Sequence, residues 1–187
     1  MQWTKRVPST HPGVNLTYTD YLTFPADGNR HELLAGEHVV SASPVPRHQV
    51  LVKRLLLQLH AAIEQPKLGE VMVSPSDIVL SDEDVVQPDL YVMLGKNAIR
   101  LQQQQVIGPP DLAVEVLSPS TAAIDRGLKR AVFARHGVRE YWVLDPDQNV
   151  LEQYVLAGRS LQLHAVHTTV VELTVAPGAK VDLTKVW

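Results

Sequence analysis

Cysteine is absent from this chain of 187 residues, which excludes disulfide scaffolds, zinc thiolate centres and cysteine nucleophiles together. No unbroken run of about eighteen apolar residues occurs, so no segment reads as a membrane-spanning helix. The opening residues, MQWTKRVPSTHPG, lack the apolar stretch of a secretory signal. A cytoplasmic protein with no membrane partner is the expectation. Charge of one sign is not in large excess. The net charge is −3, so no overall field draws the molecule to nucleic acid, although a local cationic groove remains compatible with that value. None of the eight histidines stands in a spacing such as HExxH, which argues against a zinc hydrolase. Ser118 and Ser120 flank Pro119 without a G-x-S-x-G elbow, so serine hydrolysis is set aside too.

What is present is ordinary globular material: 45% hydrophobic and 20% charged residues. The length suits a single domain over residues 1–187, with residues 1–17, broken by Pro8, Pro12 and Gly13, as a loosely ordered N-terminal arm. Thr19 would cap a short helix to about Phe24. A hairpin follows, Arg30–Leu34 and His38–Ala42, turned at Ala35-Gly36-Glu37. Arg47–Glu64 has the helical stripe Val52, Leu55, Leu56, Leu59 and Ile63. Strands are expected at 70–73, 77–80, 85–94 and 111–117, then a helix over 122–136 with Gly137 at its C′ position. Strands at 140–144, 150–156, 161–166 and 170–175 complete the chain. The pattern predicts an α/β fold with a mixed central sheet flanked by the two main helices, with one parallel crossover between 111 and 144.

One acid stands out. In the strand DLAVEVL, Leu112, Val114 and Val116 point to one face, while Ala113, Glu115 and Leu117 share the other. An ionised carboxylate buried without a partner costs several kcal/mol or more, so Glu115 implies a cation. Lys129, on the following helix, is a candidate. Asp89, behind Pro88 in VVQPDLYVML, offers a second carboxylate, and Glu32 in RHELLAGE a third. Carboxylates on neighbouring strands are hard oxygen ligands suited to Mg²⁺ or Mn²⁺. Plainer readings exist for each. Glu115 would serve in a buried ion pair. Lys129 follows Asp125 by four residues, the spacing of a surface pair. Glu32 would pair with Arg30 or Lys53. His48 would face solvent or phosphate at a helix end, and Tyr141-Trp142 would be core.

The blocks RHELLAG, VVQPDLYV, DLAVEVLSPST, DRGLKR and GVREYWVLDP, in that order, resemble the Uma-type family of restriction endonucleases, within the PD-(D/E)XK nuclease superfamily. The resemblance covers roughly residues 18–156. It implies a restriction endonuclease-like fold, a divalent metal and phosphodiester hydrolysis on nucleic acid, with DNA the expected substrate. Pro88-Asp89 matches the first acidic element and Glu115 the second acid. Together with the backbone carbonyl of Val116 they would hold Mg²⁺ or Mn²⁺. Leu117 occupies the position where the superfamily lysine is expected, which points to Lys129 as its replacement. Glu32 matches the acid of the first strand block, and Gln87 is a candidate supporting donor. A homodimer, paired near residues 170–175, would cut both strands. Two other classes stay open: a nucleic-acid-binding or regulatory module without turnover, and a structural protein whose acids hold a cation.

Overall fold

The structure, a computed structural model, describes residues 4–6, 15–102 and 105–187. In chain order the strands are β1 Thr4–Arg6, β2 Arg30–Leu34, β3 Glu37–Ser41, β4 Gly69–Val73, β5 Ile78–Ser81, β6 Asp84–Val86 and β7 Leu90–Leu94. They continue with β8 Val106–Ile107, β9 Leu112–Val116, β10 Glu140–Asp145, β11 Val150–Ala157, β12 Ser160–His167, β13 Val170–Glu172 and β14 Lys180–Asp182. Helix α1 is Tyr18–Tyr21 and α2 is Pro46–Leu59, prolonged by a π turn His60–Glu64. Helix α3 covers residues 122–135, with α turns Ala122–Ile124 and Arg130–Arg135 on either side of a π turn, Asp125–Lys129. No helix among the described residues is long and apolar enough to cross a membrane.

The expected mixed α/β architecture is present, with the strands divided among three sheets. One has the order β1-β3-β2-β6-β5-β8, the second β12-β11-β10-β9-β7-β4, and the third pairs β13 with β14. β9 is central in the second sheet, antiparallel to β7 and parallel to β10. Its two faces divide as alternation requires. Leu112, Val114 and Val116 pack with Leu51, Val52, Leu55 and Leu59 of α2 and with the C-terminal residues Val171, Val181 and Leu183. Ala113 and Leu117 pack on the other side with Phe133 of α3 and with Leu34, Val39 and Val86 of the first sheet. Both faces are therefore covered, so a polar side chain in the middle of β9 is largely withdrawn from bulk water.

Three sequence expectations need correction. The run 85–94 is not one strand: it breaks at Gln87-Pro88-Asp89, β6 joining the first sheet and β7 the second. Pro88 has no N–H to donate and ends the ladder there, so Asp89 stands at the crossing between sheets. Helix α1 is capped by Thr17 rather than Thr19, and Asp20 closes a capping box with it. The arm expected over residues 1–17 falls largely outside the described residues, but Thr4–Arg6 pair with β3 as an edge strand. Residues 103–104 of the expected glutamine-rich loop are also outside them. The last strand is shorter than expected, Val170–Glu172, and pairs with β14.

Local chemistry explains the connections nearest the site. Ala35 and Gly36 both have positive φ, 52° and 73°, the requirement of a tight two-residue hairpin turn. A Cβ on Gly36 would also lie 2.6 Å from Asn15 Cβ. At Gly69 a Cβ would meet the Met93 carbonyl at 2.1 Å, so only glycine lets β4 approach β7. Pro46 begins α2 at the first turn, where its missing N–H costs nothing.

Not every buried acid belongs to one cluster. Glu140, fully buried, accepts from Trp142 Nε1 at 2.6 Å, Gln153 Nε2 at 2.7 Å, Thr174 Oγ1 at 2.6 Å and Val175 N at 2.9 Å. It fastens the C-terminal segment to the second sheet. Glu140→Ala strands those donors and should lower stability by about 3 kcal/mol in urea unfolding, against less than about 0.5 kcal/mol for exposed Leu163→Ala.

Candidate active site

Five elements deliver charged side chains to one buried volume. Asp89 precedes β7, and its backbone carbonyl accepts from Ser74 N at 3.0 Å, fixing the crossing. Its Oδ1 accepts from Arg30 Nη2 at 2.7 Å. Its Oδ2 accepts from Val116 N at 2.8 Å and lies 3.1 Å from His48 Nε2. Glu115 projects from the middle of β9. Oε1 accepts from Lys129 Nζ at 2.8 Å, and Oε2 is 3.8 Å from Arg30 Nη1. Lys129 is also 2.8 Å from Glu32 Oε2, at an angle outside that of a hydrogen bond, and 3.7 Å from Asp125 Oδ1. Glu32 Oε1 accepts from Gln87 N at 2.8 Å.

The four residues singled out in the sequence, Asp89, Glu115, Lys129 and Glu32, are thus brought together, and each is at most 3% exposed. Several plainer expectations fail. Lys129 and Asp125 are not a surface pair: the π turn faces both inward, and Tyr141 Oη donates to the Asp125 carbonyl at 3.1 Å. Glu32 pairs with Lys129 rather than with Arg30 or Lys53. His48 is buried on Asp89 rather than solvated. Gln87 assists through its backbone N–H, while its side chain turns to Asp77 at 2.7 Å. Tyr141 and Trp142 are core, fully buried.

Arg30 and Asp125, read from the sequence only as pairing partners, and His48, read as a helix end facing solvent or phosphate, also join the site, and each had a signal. Arg30 precedes Glu32 by two residues on β2, which places both on one face. His48 continues the α2 stripe of Val52, Leu55 and Leu59 back by one turn. Asp125 shares the inward face with Lys129.

The charges do not balance. Glu32, Asp89, Glu115 and Asp125 face Arg30 and Lys129, leaving two negative charges in excess when His48 is neutral. Burial pushes Glu115 well above the usual carboxylate range, and Asp89, Asp125 and Glu32 add to the effect against the pull of Lys129. Burial likewise raises Asp125, with Lys129 opposing. Asp89 moves the other way. Burial would raise it, but the hydrogen bond from His48 and the charge of Arg30 outweigh that and hold it low. Lys129 keeps its proton more tightly than usual: Glu115, Glu32 and Asp125 overcome the effect of its burial.

A cavity of about 270 Å³ opens onto these groups, lined by Arg30, His48, Asp89, Glu115, Ser118 and Thr121 among others. A second, of about 230 Å³, shares Arg30 and Asp89 with it and is lined also by Asn29, Ser74 and Gln87. Among the described residues no three His, Asp or Glu side chains form a ready metal cage; the acids are engaged by Arg30, Lys129 and His48. The donor set nonetheless fits a divalent cation. Carboxylates just before β7 and on the neighbouring β9 supply hard oxygens, the rest of the shell can be water, and the ion would offset excess negative charge.

The electrostatics have a sign that can be checked. The folded protein holds a proton on Glu115 more tightly than the unfolded chain does. The stability from Glu115 is therefore full below the ordinary glutamate pKa and is lost as pH rises through the raised native value. Glu115→Gln removes that loss. In metal-free buffer the melting temperature of the variant relative to wild type should climb between pH 5 and pH 9; a constant difference contradicts the assignment.

The comparisons with known proteins bear on the whole fold. The sequence profile of the Uma2 family, described as "Putative restriction endonuclease", matches residues 18–184. No curated protein matches the chain. Among solved structures, the crystal structure of a "putative nuclease belonging to DUF820" from Anabaena variabilis aligns with a TM-score of 0.75. It is 15% identical and covers 91% of this chain and 97% of that one. With the match spanning all three sheets and both long helices, the chain belongs to the Uma2 family.

Proposed function

We propose that this protein is a divalent-metal-dependent endonuclease that hydrolyses phosphodiester bonds in DNA. One observation carries the reading: two buried carboxylates, Asp89 just before β7 and Glu115 on the neighbouring β9, line one cavity with a charged lysine and with acids in excess of cations. Membership of a family described as "Putative restriction endonuclease" supports it.

Asp89 and Glu115, with the Val116 carbonyl, would hold Mg²⁺ or Mn²⁺. Bound there, the ion supplies Lewis-acid polarisation of the scissile phosphate and acidifies water. The chain's own residues do the positioning. The Val116 N–H and His48 fix Asp89 in one orientation. Lys129, held protonated by its three acids, is a donor and not a base: its ammonium orients the attacking water or stabilises charge developing on phosphate oxygens. Glu32 positions Lys129. Leu117, where the superfamily lysine is expected, lies in the apolar core at 5% exposure. Its side chain packs in that core, which supports Lys129 of α3 as the lysine of the site.

Purified protein with Mn²⁺ or Mg²⁺ should nick supercoiled plasmid and stop when a chelator is added. Asp89→Asn, Glu115→Gln and Lys129→Met should each lower the rate by about 10²-fold or more. Nicking retained in all three variants places the activity elsewhere. Retention of DNA in a gel shift, weakening with salt and without products under any metal, favours a binding module over a nuclease.

A further inference from the structure

One group touches both of the acids proposed as metal ligands, and it is neither Lys129 nor His48. Arg30, the first residue of β2, donates from Nη2 to Asp89 Oδ1 at 2.7 Å, and its Nη1 lies 3.8 Å from Glu115 Oε2. Lys129 pairs with Glu115, Glu32 and Asp125; His48 pairs with Asp89. The guanidinium therefore faces the same two carboxylates that would hold a divalent cation. Two cations a few ångströms apart in a buried pocket repel strongly, so Arg30 and a metal ion exclude each other from that position.

Arg30 is also the cation that can leave. Its side chain is 19% exposed against 4% for Lys129. It lines both cavities, and its Nη2 lies 3.3 Å from Ser74 Oγ, which lines the second and not the first. Lys129 has three acids around it and lines only the first of the two cavities. A guanidinium released from the acids but still anchored at the cavity wall has the planar, bidentate geometry that suits a phosphate.

We propose that Arg30 is a resident counter-ion of the Asp89–Glu115 pair, displaced when a divalent cation binds and then free to pair with the phosphate of the substrate. The proposal rests on the nuclease reading above. It assigns Arg30 opposite effects on two measurable quantities: it weakens metal binding in the absence of substrate and supports turnover in its presence.

Mn²⁺ binding measured calorimetrically on wild type, Arg30→Met and Glu115→Gln tests this. Methionine keeps an unbranched chain without the charge. Arg30→Met should bind Mn²⁺ at least about tenfold more tightly than wild type, while plasmid nicking by the variant falls. An affinity equal to or below that of wild type overturns the Arg30 assignment. If Glu115→Gln has lost binding in the same experiment, the metal site of the nuclease reading survives that failure. Absence of Mn²⁺ binding in both wild type and Arg30→Met overturns both. Should Arg30→Met not fold, a crystal structure of wild type with Mn²⁺ decides. An ion on Asp89 and Glu115 with the Arg30–Asp89 hydrogen bond broken supports displacement. An ion there with that bond intact, or an ion bound elsewhere, overturns it.

Discussion

Burying more negative than positive charge is the constraint around which this fold is arranged. Glu32, Asp89, Glu115 and Asp125 share a desolvated volume with Arg30 and Lys129. Buried ion pairs contribute little to stability even when matched, because desolvation offsets the Coulombic gain. An unmatched set is worse. The surrounding apolar core must carry that cost: β9 packs on both faces, with α2 and the C-terminal segment on one side and α3 and the first sheet on the other. A site that is strained electrostatically and rigid mechanically is the usual compromise where a protein is built to bind a charged ligand.

The geometry depends on two irregularities. Pro88 interrupts the ladder between β6 and β7, so the chain changes sheets and Asp89 falls at the seam. The π turn in α3 faces both Asp125 and Lys129 toward β9. Without the first, Asp89 would sit within one continuous strand. The second coincides with the turn that carries Lys129 and Asp125, which packing against β9 buries.

Much of this is legible in the sequence, and the failures have a physical pattern. Alternation along Leu112–Leu117 separates the two faces of β9, and the spacing of Val52, Leu55, Leu59 and Ile63 identifies the buried face of α2. The Ala35-Gly36 turn follows from local chemistry. What short-range rules miss is long-range choice. VVQPDLYVML reads as one apolar strand because nothing local says that β6 pairs with β2 and β5 while β7 pairs with β4 and β9. Asp125 and Lys129 have the same spacing whether exposed or buried, and only packing on β9 decides between them. Arg30 and His48 lie on faces that periodicity identifies, yet their partner, Asp89, is far away in sequence.

Glu115 holds its proton more tightly than an ordinary glutamate because of burial and its acidic neighbours, so a divalent ion entering there, as proposed, would drive a proton out. Proton release on metal binding measures this most directly. Mn²⁺ titrated calorimetrically at neutral pH, in buffers of different ionisation enthalpy, should show protons leaving the protein as the ion enters, and Glu115→Gln should release fewer. Binding with no change in protonation, or release unaffected by Glu115→Gln, would contradict the account.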